Sequence, residues 1–240
     1  MLLRLLANGF TVEALIGILF FIPVFFITIT VHECAHGYIA YKLGDPTARN
    51  LGRLTLNPIK HIDPIGLIMI AVIGFGWAKP VPIIPRYFKN PKSGMAISAA
   101  AGPVSNILMA IIGLLLYAIL LQIFISANIV NVFAASALIF ADYFATLNVW
   151  FAVFNLIPLP PLDGSRIVSY FLSPKLHYYY NYVERYGFLI LILLLNMGRL
   201  GSRIWIFRYL DILSGLEILS TWVLRGLKVP INWIFSLFGG

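Results

Sequence analysis

The chain has 240 residues, of which 60% are apolar and 11% are charged. Soluble domains carry roughly 45–50% apolar and about 25% charged residues, so this composition excludes an ordinary soluble globule and predicts a multi-pass membrane protein. Lysine and arginine outnumber aspartate and glutamate by 17 to 9. In so apolar a chain, cytoplasmic loops are the simplest location for this excess, and we expect no nucleic-acid partner.

Three apolar stretches are long enough to cross a bilayer, which takes about 20 helical residues. They are Ala14–Val31 with the apolar residues that follow it, Met95–Ile125, and Ile129–Ile157, which contains one acid, Asp142. We expect Asp142 near the outer boundary, in a solvated or capped position. A cleavable signal peptide is the alternative for the first stretch, but its apolar region would be only roughly 7–15 residues long.

A shorter apolar stretch, Pro64–Ala78, lies between the first two spans. Basic residues flank it on both sides, and the positive-inside rule places both flanks in the cytoplasm: Lys42, Arg49, Arg53 and Lys60 precede it, and Lys79, Arg86, Lys89 and Lys92 follow it. The stretch is therefore predicted to be re-entrant or interfacial. Its glycines, and the prolines that follow, favour strand-like or looped backbone over helix.

The strongest local signal is the sequence His32-Glu33-Cys34-Ala35-His36 in the first apolar helix. Residues four apart share one helix face, so both imidazoles can bind one zinc ion, and Glu33 can act as general base on a metal-bound water. A polar helix interface is the alternative. It leaves unexplained a carboxylate that costs roughly 2.5–3.5 kcal/mol in an apolar helix, whereas a metal compensates this charge. Cys34 is interpreted as a small packing residue.

A catalytic zinc usually has three protein ligands, and the third must come from elsewhere in the chain. Asp163 is one candidate, because the prolines of NLIPLPPLDG (155–164) end the third span and Gly164 allows a turn. The same sequence is also typical of an ordinary turn. His61 and Asp63 are the competing ligands. The residues alone leave these alternatives open.

Three motifs together resemble the site-2 protease family of intramembrane zinc metalloproteases. They are HECAH in the first span, GPVSN (102–106) early in the second, and NLIPLPPLDG after the third. The resemblance implies that His32, His36 and Asp163 bind Zn²⁺ and that Glu33 is the catalytic acid/base. It also implies that Asn155 and Asn106 are polar groups near the substrate.

The expected fold class is an all-α polytopic membrane protein with four to six transmembrane helices. The resemblance implies a three-helix catalytic core over about residues 14–164, accompanied by the re-entrant, β-like segment. Residues 165–240 would form further helices. We expect one membrane-embedded domain over 1–240, in a multi-pass protein of the cell membrane with its active site toward the cytoplasm.

The expected activity is hydrolysis of peptide bonds in single-span membrane proteins near the cytoplasmic face of the lipid bilayer. A substrate helix must unwind first, and an edge segment could hold it extended. Gly74–Ile84, with Trp77 and Val81, is the candidate for this segment. Asn155 could donate to the substrate, or it could simply cap its broken helix. The alternative function is a metal-binding transporter or channel.

Overall fold

The structure, a computed structural model, describes residues 12–73, 76–201 and 212–236. Helices are the regular elements in these ranges, which contain no β-strand, so the all-α class is confirmed. Short 3₁₀ turns at Pro58–His61 and Pro85–Tyr87 connect some of them. The helices are α1 (Val12–Lys42), α2 (Thr47–Asn50), α3 (Pro64–Ile73), α4 (Pro91–Ser126), α5 (Val132–Asn155), α6 (Asp163–Phe171), α7 (Pro174–Gly201) and α8 (Ile212–Ser236).

Among the described residues, three helices are long and apolar enough to cross a membrane: Gly17–Lys42 within α1, α4 and α5. They coincide with the three predicted spans, so the chain is a multi-pass membrane protein. Helices α7 and α8 are also long, but their described residues do not meet the same criterion. The total of four to six spans stays a prediction, because part of the C-terminal third lies outside the described residues. This part includes residues 202–211, which contain Arg203 and Arg208.

The chain divides into two compact units, Met1–Gly94 and Met95–Gly240. The first contains α1, α2 and α3, and the second contains most of α4 and the helices that follow. The single domain over residues 1–240 stays a prediction. Each unit is described by itself below.

In the first unit, α1 contacts α2 and the 3₁₀ turn Pro58–His61. The expectation of looped backbone after Pro64 is wrong, because Pro64–Ile73 is helical. The reason is local: the Asp63 Oδ1 accepts the backbone N–H groups of the first helical turn, and proline suits the first helical position.

The backbone beyond α3 is not helical. Ala78 forms an isolated antiparallel bridge with Ile62, and no regular helix occurs from Gly76 to Ile84. The β-like character that the sequence predicts is therefore present in this second part of the segment. Gly74 and Phe75, which begin the candidate edge segment, lie outside the described residues.

In the second unit, α5 packs through small side chains. Ala141, Ala145, Val149 and Ala152 recur every three or four residues and are almost fully buried. A Cβ atom added at Gly113 of α4 would lie 3.1 Å from the Ala145 Cβ and 3.0 Å from the Ala145 backbone N. Small residues let membrane helices approach closely, so dispersion contacts can replace the hydrophobic effect that lipid does not supply between helices.

An ion pair joins α5 to α8. The Lys228 Nζ lies 2.9 Å from the Asp142 Oδ1, and both side chains are partly exposed. The expected position of Asp142 near the outer membrane boundary stays a prediction; along the helix, Asp142 lies ten residues from the start of α5, or about 15 Å. The structure adds a partner that the sequence does not predict, because a lysine 86 positions later in the chain pairs with the carboxylate.

We predict that Asp142→Asn lowers the stability of the protein by about 1–2 kcal/mol, because Lys228 then lacks its counter-charge beside an apolar span. The double variant Asp142→Asn/Lys228→Met should recover most of this loss. Thermal unfolding in lipid nanodiscs measures both effects, with Glu217→Gln, an exposed acid on α8, as the control. A double variant less stable than either single variant would contradict the pairing.

Candidate metal centre

The two histidines of the HECAH sequence converge on one face of α1. Both side chains are buried, their rings meet edge to face, and their Nε2 atoms lie 3.0 Å apart. Two nitrogens bound to one tetrahedral zinc at about 2.0–2.1 Å are roughly 3.3 Å apart. The spacing of the pair therefore fits a shared metal ion with little movement of either ring.

Glu33 lies between the histidines in sequence and is half-buried. Its Oε2 accepts a hydrogen bond of 2.8 Å from the backbone N–H of Val81. The Val81 side chain is 7% exposed. It packs against α1 at Gly37, where an added Cβ would lie 2.9 Å from the Val81 Cγ1. The contact fixes one carboxylate oxygen of Glu33 through the backbone of a distant segment.

Asp163 lies in the second unit, where it is the first residue of α6. Helix α5 ends at Asn155, and a series of turns over residues 156–162 leads to Asp163. Gly164 makes this return possible, because an added Cβ would lie only 2.2 Å from the Leu156 carbonyl oxygen. The helix break and the turn predicted from the NLIPLPPLDG sequence are therefore present.

Helix α7 supports the same series of turns. The Tyr180 hydroxyl donates to the Pro158 carbonyl oxygen at 2.9 Å. About two helical turns later, Gly187 lies so close that an added Cβ would be 2.3 Å from the Pro160 carbonyl oxygen. The sequence alone assigns no role to the C-terminal helices. The structure gives α7 one, which is to hold the loop that ends at Asp163.

The competing ligands of the first unit have other partners. The Asp63 Oδ1 caps α3, and the His61 Nε2 donates to the Thr55 carbonyl oxygen at 2.8 Å. The Cys34 thiol donates to the same carbonyl at 3.0 Å. Cys34 is therefore more than a packing residue, because it links α1 to the loop that carries His61.

The remaining predicted site residues occupy different elements. Asn155 ends α5, and its Nδ2 donates to the Phe151 carbonyl oxygen at 3.0 Å. Asn106 is buried in α4. Trp77 is half-buried in the first unit, where it lines a small cavity with α1 and α3 residues. Sequence reasoning misses the bond between Val81 and Glu33, since a backbone N–H leaves no sequence signal.

Comparison with protein families shows which family the chain belongs to. The sequence profile of Peptidase family M50 matches residues 20–195, which include both histidines, Glu33 and Asp163. The chain belongs to peptidase family M50. This membership confirms the family that the three motifs predict. It also confirms that the protein is a metalloprotease, which the sequence predicts in preference to a metal-binding transporter or channel.

Individual relatives agree with the family match. The "Putative zinc metalloprotease YwhC" of Bacillus subtilis is 44% identical over 73% of this chain and 79% of its own length. The "Putative zinc metalloprotease Rip2" of Mycolicibacterium smegmatis is 29% identical over 75% of this chain and 67% of its own length. The protein of the same name from Mycobacterium tuberculosis is 27% identical over 62% of this chain and 56% of its own length. No solved structure matches the chain.

We predict that Gly187→Ala destabilises this M50 protein by about 1–3 kcal/mol, because its methyl group meets the Pro160 carbonyl oxygen and the loop must move. Gly215→Ala on α8 is the matched control, since nothing lies within 4 Å of its added Cβ. Alanine should leave that helix unchanged or stabilise it by up to about 1 kcal/mol. Thermal midpoints in detergent compare the two, and equal midpoints would refute the close packing.

Proposed function

We propose that the protein is an intramembrane zinc endopeptidase that hydrolyses peptide bonds of transmembrane helical substrates near the cytoplasmic face. The observation that carries this proposal is the pair of converging imidazoles with an adjacent carboxylate in a membrane-spanning helix. The family is a peptidase family, and the named relatives are described as zinc metalloproteases.

The proposed zinc ligands are the Nε2 atoms of His32 and His36 and a carboxylate oxygen of Asp163. Imidazole and carboxylate are both ligands that zinc accepts, and three protein ligands leave one coordination position for reacting groups. Bound zinc would supply Lewis-acid chemistry, because it would polarise the scissile carbonyl and lower the pKa of a water molecule toward neutrality. The Asp163 carboxylate would also offset the positive charge that the neutral imidazoles leave uncompensated.

Glu33 is the proposed general acid and base. Its carboxylate takes a proton from the attacking water and returns it to the amine that leaves when the peptide bond breaks. Because Val81 holds the Oε2 atom through its N–H, the Oε1 atom is the one assigned to the proton transfer. A fixed carboxylate needs little rearrangement at the moment of reaction.

The proposed substrates are single-span membrane proteins whose helix unwinds locally at the site. The amides of Asn155, which is half-buried, and of Asn106, which is buried, would bind the exposed peptide groups, since amides are suited to polar groups that a helix no longer pairs. The segment with Trp77 and Val81 would hold the unwound strand. The Val81 side chain is buried, so its contribution to substrate would be made by the backbone.

The cytoplasmic location of the site is also part of the proposal. It is supported by the basic residues between the first two spans, which follow the HECAH sequence directly. From Lys42 back to His36 is six residues, or about 9 Å along α1. The site would then lie within the membrane but close enough to the cytoplasmic surface for water to reach it.

We predict that Glu33→Gln slows peptide hydrolysis by about 10²–10⁴-fold, while bound zinc is retained. The amide has nearly the same shape as the carboxylate but cannot accept the proton. Cleavage of a model single-span substrate in detergent, with zinc measured by atomic absorption, tests this. Glu184→Gln, an exposed acid on α7, is the control and should cleave normally. Equal cleavage by wild type and Glu33→Gln would reject the mechanism.

The third ligand is tested by zinc content alone. Asp163→Ala should lower zinc affinity by more than about a hundredfold, because losing even an outer partner of a ligand costs 10–100-fold. His61→Ala should keep its zinc, since the His61 ring already bonds to Thr55. Zinc lost from His61→Ala and kept by Asp163→Ala would reverse the assignment.

A further inference from the structure

The extended segment Ala78–Ile84 is anchored to its own unit at its first residues. Ala78 bridges to Ile62, and the Lys79 N–H donates to the His61 carbonyl oxygen at 2.9 Å. The Lys79 carbonyl oxygen in turn accepts a bond of 2.7 Å from the Arg53 guanidinium. The beginning of the segment is therefore fixed against the loop that follows α2.

The end of the segment is anchored by a second acid, Asp45. This side chain is completely buried, and its Oδ2 accepts a bond of 2.6 Å from the Ile84 N–H. Its Oδ1 accepts the N–H of Thr47 at 2.9 Å and also the Thr47 hydroxyl. Burying a carboxylate is costly unless donors satisfy it, and here both oxygens are satisfied.

Between the two anchors lies the Val81 N–H that holds Glu33. Asp45 follows α1 closely, with its own N–H bonded to the Ala40 carbonyl oxygen in the last turns of that helix. Glu33 and Asp45 therefore belong to one continuous piece of backbone, and both hold N–H groups of the same short segment. Prolines fix the backbone φ angle on both sides of Val81, which makes this segment stiff.

We propose that Asp45 is a positioning residue for Glu33, acting through Ile84 and Val81. The proposal rests on the role of Glu33 as general base given above. Asp45 fixes the Ile84 N–H, the stiff segment transmits that position to the Val81 N–H, and the Val81 N–H orients the Glu33 carboxylate. Asp45 thus sets the geometry of proton transfer without touching substrate.

A positioning role has a specific kinetic consequence. Loss of Asp45 leaves the histidines unchanged in identity and spacing, so zinc content should stay the same. It also leaves the carboxylate of Glu33 present but misplaced, so turnover should fall. Misplacement by about 1 Å can cost up to a hundredfold in rate. A purely structural role would instead lower the folded fraction, zinc content and turnover together.

The experiment uses the full-length, zinc-loaded protein in detergent with a model single-span substrate. Asp45→Asn keeps the shape but replaces one acceptor oxygen with an N–H₂ donor. We expect kcat to fall about tenfold to a hundredfold, with KM and zinc content within about twofold of wild type. Val81→Pro removes the N–H itself and should lower kcat to a similar extent with zinc content unchanged. If Asp45→Asn yields no folded protein, Asp45→Glu, which keeps the carboxylate but displaces its oxygens, replaces it with the same expected pattern.

Two controls separate positioning of Glu33 from a general loss of stability and from an effect on turnover that bypasses Glu33. Asn90→Ala removes a different side-chain oxygen that accepts a backbone N–H, that of Ser93 in the same unit, and should keep the wild-type kcat. In a Glu33→Gln background, Asp45→Asn should cause no further loss of the residual rate. The inference is overturned if Asp45→Asn or Val81→Pro retains the wild-type kcat, or if Asp45→Asn lowers the Glu33→Gln rate as strongly as the wild-type rate. Normal cleavage by Glu33→Gln would instead overturn the proposed function.

Discussion

The constraint on which the first unit depends is the presence of a carboxylate in an apolar helix. Glu33 costs roughly 2.5–3.5 kcal/mol in such a setting unless fixed partners compensate it. The partner is a backbone N–H, so a non-helical segment must reach α1. Gly37 lets that segment pack against the helix, and Asp45 holds its end. The loops of the first unit therefore hold the backbone N–H that stabilises the Glu33 carboxylate in α1.

The sequence predicts the parts of the structure that depend on local pattern. Hydropathy predicts α1, α4 and α5, helical periodicity places His32 and His36 on one face, and prolines predict the break after Asn155. It fails where partners are distant or carry no side-chain signal. The Val81 N–H could not be predicted as the partner of Glu33, because any residue except proline supplies a backbone N–H. Lys228 could not be predicted as the partner of Asp142, because the two residues are 86 positions apart. At α3, the glycines and prolines predict looped backbone, but Asp63 caps a helix that begins at Pro64.

The second unit shows how a membrane protein stabilises helices where lipid is as apolar as the side chains. Close approach of small residues on α5 supplies dispersion contacts, and the pair of Asp142 and Lys228 adds one charged link to α8. Because these contacts need side chains from helices far apart in sequence, the second unit depends on the C-terminal helices. Residues without a proposed catalytic or metal-binding role thus determine how the helices of the second unit pack.

The support that α7 gives to the loop before Asp163 has a consequence for biosynthesis. Tyr180 and Gly187 are synthesised after Asp163, and both contact the turns that precede it. A nascent chain that has reached Asp163 therefore already contains both histidines and Glu33, but the loop has no support yet. Only when α7 has left the ribosome can the aspartate be held in its final position. The order of synthesis would thus keep a hydrolase inactive until α7 has been synthesised.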